Sequence, residues 1–158
     1  MSKTLQLDDF ALTGLAMKWN GDTENDSDRD ASAALNFRVF GHTTDPGRFR
    51  LEMTVAVRPP EGAGESGWTI DAAIRGDFQI PDGSEEKPNP GFMAYNGATI
   101  LYGLLRGQIA AATGSFPPGK FMLPTVSIAD AMADKAKSRL KAKAAAKPRK
   151  PGKPRTKT

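Results

Sequence analysis

The side chains that most often perform chemistry are scarce in this sequence of 158 residues. There is no cysteine, which excludes disulfides, thiol nucleophiles and the usual cysteine zinc sites. His42 is the only histidine, and it stands beside a glycine shortly before a turn, without the oriented partners that a general base needs. We interpret His42 as an exposed loop residue. We therefore predict that the protein is not an enzyme and uses no cofactor.

One acidic run has a composition that could suggest a calcium site. The run alternates acidic and other residues at Asp22, Glu24, Asp26, Asp28 and Asp30. However, no glycine occupies the sixth position counted from any of these residues, and no glutamate closes a twelve-residue loop. The sequence therefore predicts a solvated loop here, and we expect no metal site.

The formal net charge of +4 combines two parts of opposite sign. Residues 135–158 hold eight lysines, three arginines and no acidic residue, which is +11, so residues 1–134 carry −7. The hydrophobic content of 39% can support a core in the acidic part. We predict one domain over residues 1–140, followed by a basic, disordered tail rich in Lys, Pro and Ala over residues 141–158.

The chain has no long apolar run. Its beginning reaches Asp8 and Asp9 before an apolar stretch develops, which is not the pattern of a signal peptide. Nowhere do about 18 apolar residues run together, so we expect no transmembrane helix. Together with the absence of cysteine, these observations favour a soluble protein of the cytoplasm.

Four segments in the first half alternate with the two-residue period of a β-strand: 5–19, 35–40, 49–58 and 68–80. The alternation is imperfect in the first segment. It is clearest in the third, where the apolar positions are Phe49, Leu51, Met53, Val55 and Val57. Short spacings and turn-forming residues between the segments favour an antiparallel meander.

After a proline- and acid-rich loop at 81–90, the apolar residues recur at helical spacing: Ile100, Leu101, Leu104, Leu105 and Ile109. Each glycine within this helix costs about 1 kcal/mol relative to alanine, and the close approach of another backbone is the usual compensation. We therefore predict that the helix is buried in an oligomer. Its candidate interface residues are Leu101, Gly103, Leu104, Leu105 and Gly107.

A second helix is predicted after residue 127. Ser127 has the position of an N-cap, and Asp130 follows three residues later in the manner of a capping box. The apolar face of this helix is thin and consists of Ile128, Met132, Ala136 and Leu140. The predicted fold class is thus α+β, with a four-stranded antiparallel sheet followed by two C-terminal helices.

Several short motifs, in their order and spacing, resemble the SecB family of protein-export chaperones. The sequences GDFQI at 76–80, AY at 94–95 and ILY at 100–102, followed by Arg106 and Ile109, are similar to the last strand and first helix of that family. The pair FP at 116–117 and the run LPTV at 123–126 resemble its inter-helix segment. The resemblance therefore identifies a SecB-like fold.

This resemblance implies a homotetramer built as a dimer of dimers, with the first helices between opposing sheets. It also implies an ATP-independent chaperone that holds unfolded polypeptides in apolar grooves. The clients are preproteins delivered to the SecA motor for export and translocation, or aggregation-prone antitoxins. The basic C-terminus of this chain differs from the acidic or neutral tail of the secretory members.

Eight apolar residues near the ends of strands and loops are candidates for client binding. Aromatic side chains offer large contact areas, and methionine adapts its shape to many partners. The alternative for each of them is a place in the core or in a subunit interface. The candidates are Trp19, Phe40, Trp68, Phe92, Met93, Phe116, Phe121 and Met122.

The basic tail leads to an alternative function of a different class. Lysines and arginines suffice for non-specific attachment to RNA, ribosomes or anionic lipid, and the tail has no aromatic residue for sequence-specific recognition. The protein could then be a nucleic-acid-binding accessory protein that acts through its tail. A solvated extension, or contact with a client or the translocase, are the other interpretations of the same residues.

Overall fold

The computed structural model describes residues 4–21, 31–62, 66–81 and 89–145. Its elements, in chain order, are β1 (Gln6–Asn20), β2 (Ser32–Gly41), β3 (Arg48–Arg58), β4 (Gly67–Gln79), α1 (Pro90–Thr113) and α2 (Ile128–Ala145). The predicted four-stranded antiparallel sheet and two following helices are confirmed. Residues 141–145, predicted as the start of the disordered tail, are instead the last residues of α2. The acidic run at 22–30 and residues 146–158 of the predicted tail lie outside the described residues.

The strands form one antiparallel sheet in the order β1-β4-β3-β2. Strands β2, β3 and β4 follow one another as a meander does, but β1 pairs with β4 instead of β2. The predicted meander of all four strands is therefore wrong at β1. The reason lies in the connections, because β2–β3 and β3–β4 are joined by short segments, whereas the longer segment 21–31 need not form a hairpin.

Two irregularities explain the imperfect alternation of β1. Its register against β4 shifts between Leu7 and Asp9, and again between Leu12 and Gly14. Each shift moves the side chains that follow it to the opposite face of the sheet. Apolar residues at odd-numbered and at even-numbered positions therefore share one face. The residues on that face, each opposite a residue of β4 on the same face, are Leu7, Phe10, Leu12, Leu15, Met17 and Trp19.

The core lies between one face of the sheet, here called the inner face, and α1. The apolar residues predicted to alternate along β3 are all buried, and Leu101, Leu105 and Ile109 of α1 are fully buried against β3 and β4. Glycine permits this close packing, because a Cβ atom on Gly76 would lie 2.7 Å from the Leu101 Cδ2 atom. A Cβ atom on Gly97 would likewise lie 3.3 Å from the side chain of Leu51.

Both helices begin at a side-chain cap. The Asn89 carboxamide oxygen accepts a hydrogen bond from the Gly91 amide at 2.8 Å, just before the proline that starts α1. The Ser127 hydroxyl accepts one from the Asp130 amide at 3.2 Å. The predicted N-cap of the second helix is therefore confirmed. Within the described residues, no helix combines the length and apolarity needed to span a membrane.

Hydrogen bonds of the Thr113 hydroxyl hold the segment between the two helices against the core. Its side chain is fully buried, and its hydroxyl donates to the Ile109 carbonyl at 2.7 Å while accepting from the Phe121 amide at 2.8 Å. The Tyr102 hydroxyl donates to the Pro124 carbonyl oxygen further along the same connection. Burial raises the pKa of Tyr102, so this donor stays protonated at neutral pH. The two hydroxyls thus hold the inter-helix segment against α1.

Replacing Thr113 by valine is expected to lower the free energy of unfolding by about 1–3 kcal/mol, because the buried Phe121 amide loses its acceptor. Urea denaturation followed by circular dichroism measures the change. Thr113→Ser keeps the hydroxyl and is expected to lose less. A valine variant as stable as the unmodified protein would show that this hydrogen bond contributes nothing.

Candidate functional site

Five of the eight residues predicted to bind a client pack within the chain. Trp68, Met93 and Phe121 are buried in the core. Trp19 and Phe116 are half-buried against Trp68, with ring centroids 5.3 and 5.0 Å from its own. Four of these five side chains therefore form an aromatic cluster. Their packing is visible in this structure, and client contact at these positions stays a prediction.

The other three candidates differ in how far they are buried. Phe92 is half-buried against the core, whereas Phe40 is 44% and Met122 is 46% exposed. Phe40 is opposite Arg50 in the β2–β3 register, on the outer face of the sheet, which α1 does not cover. The eight residues therefore do not converge on one surface.

The outer face of the sheet is polar around Phe40. Arg50 forms a two-point hydrogen-bonded ion pair with Asp77, with a shortest distance of 2.7 Å, and this pairing raises the pKa of Arg50. His42, at the adjoining turn, accepts from the Asp45 amide at 3.2 Å through Nδ1. This hydrogen bond is consistent with the interpretation of His42 as a turn residue. A depression of about 490 Å³ adjoins them, and its lining combines charged residues such as Arg50, Glu52 and Asp77 with the rings of Phe40, Phe49 and Phe78.

An open, mainly apolar groove lies on the other side of the molecule, between β2, the start of α1 and α2. Its volume is about 1060 Å³. We call it the β2–α2 groove. Its lining residues are Phe37 and Val39 of β2, Pro90 and Ala94 of α1, and Met132, Lys135, Ala136, Arg139, Leu140, Ala142 and Lys143 of α2.

The groove exists because α1 leaves one edge of the sheet uncovered. Helix α1 packs mainly on β3 and β4 and leaves the inner side of the edge strand β2 largely uncovered, where the Lys135 ammonium of α2 lies over the Phe37 ring. The apolar face of α2 is too thin to close over it, since Met132, Ala136 and Leu140 recur only once per turn. As a result Val39 remains 40% exposed and Leu140 remains 69% exposed.

None of the eight predicted client-binding residues lines this groove. One signal of the groove is present in the sequence, namely the thin apolar face of the second helix. What the sequence could not show is that Phe37 and Val39 would face that helix. That depends on which strand stands at the edge of the sheet.

Basic side chains line the groove beside its apolar residues, which are here called its apolar floor. Lys135, Arg139 and Lys143 are spaced four residues apart on α2, and no acidic residue is among the described residues that line the groove. The Lys135 ammonium lies 4.5 Å from the centroid of the Phe37 ring and 3.4 Å from the Asn36 carboxamide oxygen. Burial, followed by the nearby charges of Arg139 and Arg38, lowers the pKa of Lys135.

A second apolar surface lies at the opposite edge of the sheet. Phe10, Leu12 and Leu15 of β1 stand on the inner face, and each is more than a third exposed. On α1, Gly103 and Gly107 are exposed, and a Cβ atom on either would meet nothing within 4 Å. We use the name β1–α1 surface for these exposed residues of β1 and α1 taken together.

The five residues predicted to form an oligomer interface divide between two sides of α1. Leu101 and Leu105 are fully buried against the sheet of their own chain. Leu104 is half-buried, and Gly103 and Gly107 are exposed. Only these last three are accessible to a second chain in this structure.

Among the described residues, no group of three or more His, Asp or Glu side chains could hold a metal ion.

No family model matches this chain, and no curated protein matches it. One similar solved structure is the SecB-like chaperone Rv1957 of Mycobacterium tuberculosis, in complex with a ChAD peptide from the Rv1956 HigA1 antitoxin. The sequences are 18% identical, the TM-score is 0.57, and the match covers 78% of this chain and 91% of the other.

A protein of unknown function from Streptococcus agalactiae has a TM-score of 0.49 and 8% identity, over 79% of this chain and 100% of that one. The mycobacterial structure is the one that bears on the fold. Its TM-score of 0.57 over 78% of this chain shows that the two folds are similar, so this chain has a SecB-like fold.

Proposed function

We propose that this protein is an ATP-independent chaperone that holds segments of unfolded polypeptides in the β2–α2 groove. The observation that carries the proposal is the groove itself, which is open, about 1060 Å³ in volume and floored by apolar side chains from three elements. Unfolded clients share apolar side chains instead of a motif, so their binding site needs area and adaptability. Met132 and the exposed Leu140 supply flexible contacts of this kind.

The similar structure adds support from outside the chain. The mycobacterial SecB-like chaperone was solved with a peptide of an antitoxin. On our proposal the clients here are likewise unfolded segments, taken from antitoxins or from preproteins on their way to SecA. Holding of this kind needs no catalytic group, and we propose that it takes place in the cytoplasm.

We further propose that the working form is a homotetramer in which a second copy covers the β1–α1 surface. The exposed apolar residues Phe10, Leu12 and Leu15 would be buried by such a contact. Gly103 and Gly107 would allow the partner to approach the α1 backbone closely, which compensates for their low helix propensity.

The double substitution Gly103→Gln and Gly107→Gln tests this assembly. Both positions have open space within the chain, so the monomer is expected to gain roughly 0.5–1 kcal/mol per site from improved helix propensity. The added side chains would nevertheless keep the second copy away. We expect light scattering to show a smaller species that retains full helix content. An unchanged mass would contradict the proposed interface.

Aggregation of a denatured client tests the holding function. The client is diluted from denaturant into buffer containing the full-length protein and no nucleotide, at low and at high salt. We expect suppression of light scattering at both salt concentrations, because apolar binding weakens little with salt. No suppression at either concentration would contradict the proposal.

The exposed basic residues favour one competing function. Lys137, Arg139 and Lys141 are exposed on α2, and they continue into a C-terminal segment without acidic residues. A nucleic-acid-binding accessory protein would use these charges. Its affinity for RNA should fall steeply with salt through counterion release. RNA binding of this kind, with no effect on client aggregation, would favour that function over the chaperone.

A further inference from the structure

We infer that the β2–α2 groove selects apolar client segments that also carry acidic residues. This inference rests on the proposed function, and it names the class of client that the same groove prefers. It is carried by the charges around the groove and by their position relative to its apolar floor.

The three basic residues of the groove form a row along one side of it. Lys135, Arg139 and Lys143 follow one another along α2 at a spacing of four residues, so they share one face of the helix. Phe37 and Val39 of β2 belong to the apolar floor beside this row, and the Lys135 ammonium lies 4.5 Å from the centroid of the Phe37 ring. A client that places apolar side chains on the floor therefore passes a row of cations.

The cations near the groove are crowded by like charges. The ammonium of Lys135 is partly buried over the Phe37 ring, and its charged neighbours Arg139 and Arg38 are both positive. No described lining residue offers a carboxylate to balance them. A client carboxylate at this position would replace repulsion by attraction, in a site less screened than the open surface.

The chain's own C-terminal segment does not have the chemistry of this occupant. Residues 146–158, which follow α2, contain six basic residues and no acidic one, so the row of cations would repel them. The occupant that we infer is a segment of a client polypeptide. It combines apolar side chains with aspartate or glutamate.

Three labelled peptides of one unstructured apolar sequence test the inference. They differ only in their flanking residues, which are glutamates, glutamines or lysines. Fluorescence anisotropy with the full-length protein measures each Kd at low and at high salt. We expect the glutamate peptide to bind at least tenfold more tightly than the lysine peptide at low salt, with the difference shrinking at high salt.

Charge reversal within the groove separates this row from the other basic residues. Arg139→Glu with Lys143→Glu is expected to abolish or invert the preference of the groove for the glutamate peptide over the lysine peptide. The matched control is Lys137→Glu with Lys141→Glu, because these exposed residues lie on the same helix but do not line the groove. The control changes the net charge equally, and it is expected to keep the preference.

The outcomes distinguish this inference from the function on which it rests. Binding of all three peptides with equal Kd at low salt would overturn the selectivity alone. Failure to bind even the glutamine peptide would overturn the proposed holding function as well. Equal loss of preference in both double variants, or equally tight binding of a glutamate peptide without apolar residues, would also overturn the inference. Either result would show general attraction of anions to the basic C-terminal half of α2 and the tail.

Discussion

Replacing Trp68 by alanine is expected to lower the free energy of unfolding by about 3–5 kcal/mol, which is a large share of the stability of a domain of this size. Trp68 is 1% exposed and contacts the rings of Trp19, Phe116 and Phe121, so its removal opens a cavity between β1, β4 and the inter-helix segment. Urea denaturation followed by circular dichroism measures the loss.

Trp68→Phe is the matched control. The Trp68 indole nitrogen has no hydrogen-bond partner among the described residues, so the contribution of this side chain comes from its ring. Phenylalanine keeps much of the ring packing and leaves a smaller cavity, so it is expected to cost clearly less than alanine does. A phenylalanine variant as unstable as the alanine variant would show that the indole N–H is needed after all.

Replacing Val39 and Leu140 together by serine is expected to weaken client holding by at least roughly tenfold, because two apolar contacts on the groove floor are lost. Both side chains are exposed enough for the fold to remain intact. The measurement is the protein concentration that halves aggregation of a denatured client.

Phe40→Ser is the control for this experiment. Phe40 neighbours Val39 in the chain and is exposed to a similar extent, but it points to the outer face of the sheet. We expect the Phe40 variant to hold clients as well as the unmodified protein does. A loss of holding in Phe40→Ser, with the double groove variant unaffected, would move client binding to the outer face.

The elements of the fold were predictable because their signals are local. The two-residue period marks β3, the helical period marks α1, and Ser127 marks the start of α2. The position of β1 in the sheet was not predictable in this way. Pairing of β1 with β4 depends on contacts between residues far apart in the chain, and the two register shifts within β1 obscured its apolar face.

The groove was harder to predict than the fold. Aromatic residues such as Trp68 and Phe121 have the composition of a binding surface, yet the structure buries them, since large apolar side chains serve equally well in a core. The groove instead combines smaller residues, such as Val39 and Ala136, with long side chains from α2. Which of these residues meet depends on how far α1 extends across the sheet.

The positions of the basic residues around the groove were likewise not predictable from the sequence. In the sequence, Lys135, Arg139 and Lys143 belong to the basic stretch 135–158, in which only residues 141–158 were predicted to be a tail. The structure places these three beside the apolar floor, and it places Lys137 and Lys141 away from it. The helical spacing therefore places these two sets of basic residues on different faces of α2, a difference that the amino-acid composition does not show.

Site-specific photo-crosslinking tests the central claim most directly. A photoreactive side chain is introduced at position 140 in the groove and, in a second variant, at position 40 on the outer face, and each protein is mixed with a denatured client and illuminated. We predict that the unfolded client crosslinks to position 140 and not to position 40, and that the same client in its folded form crosslinks to neither. Crosslinking from position 40 without crosslinking from position 140 would contradict the assignment of client binding to the β2–α2 groove.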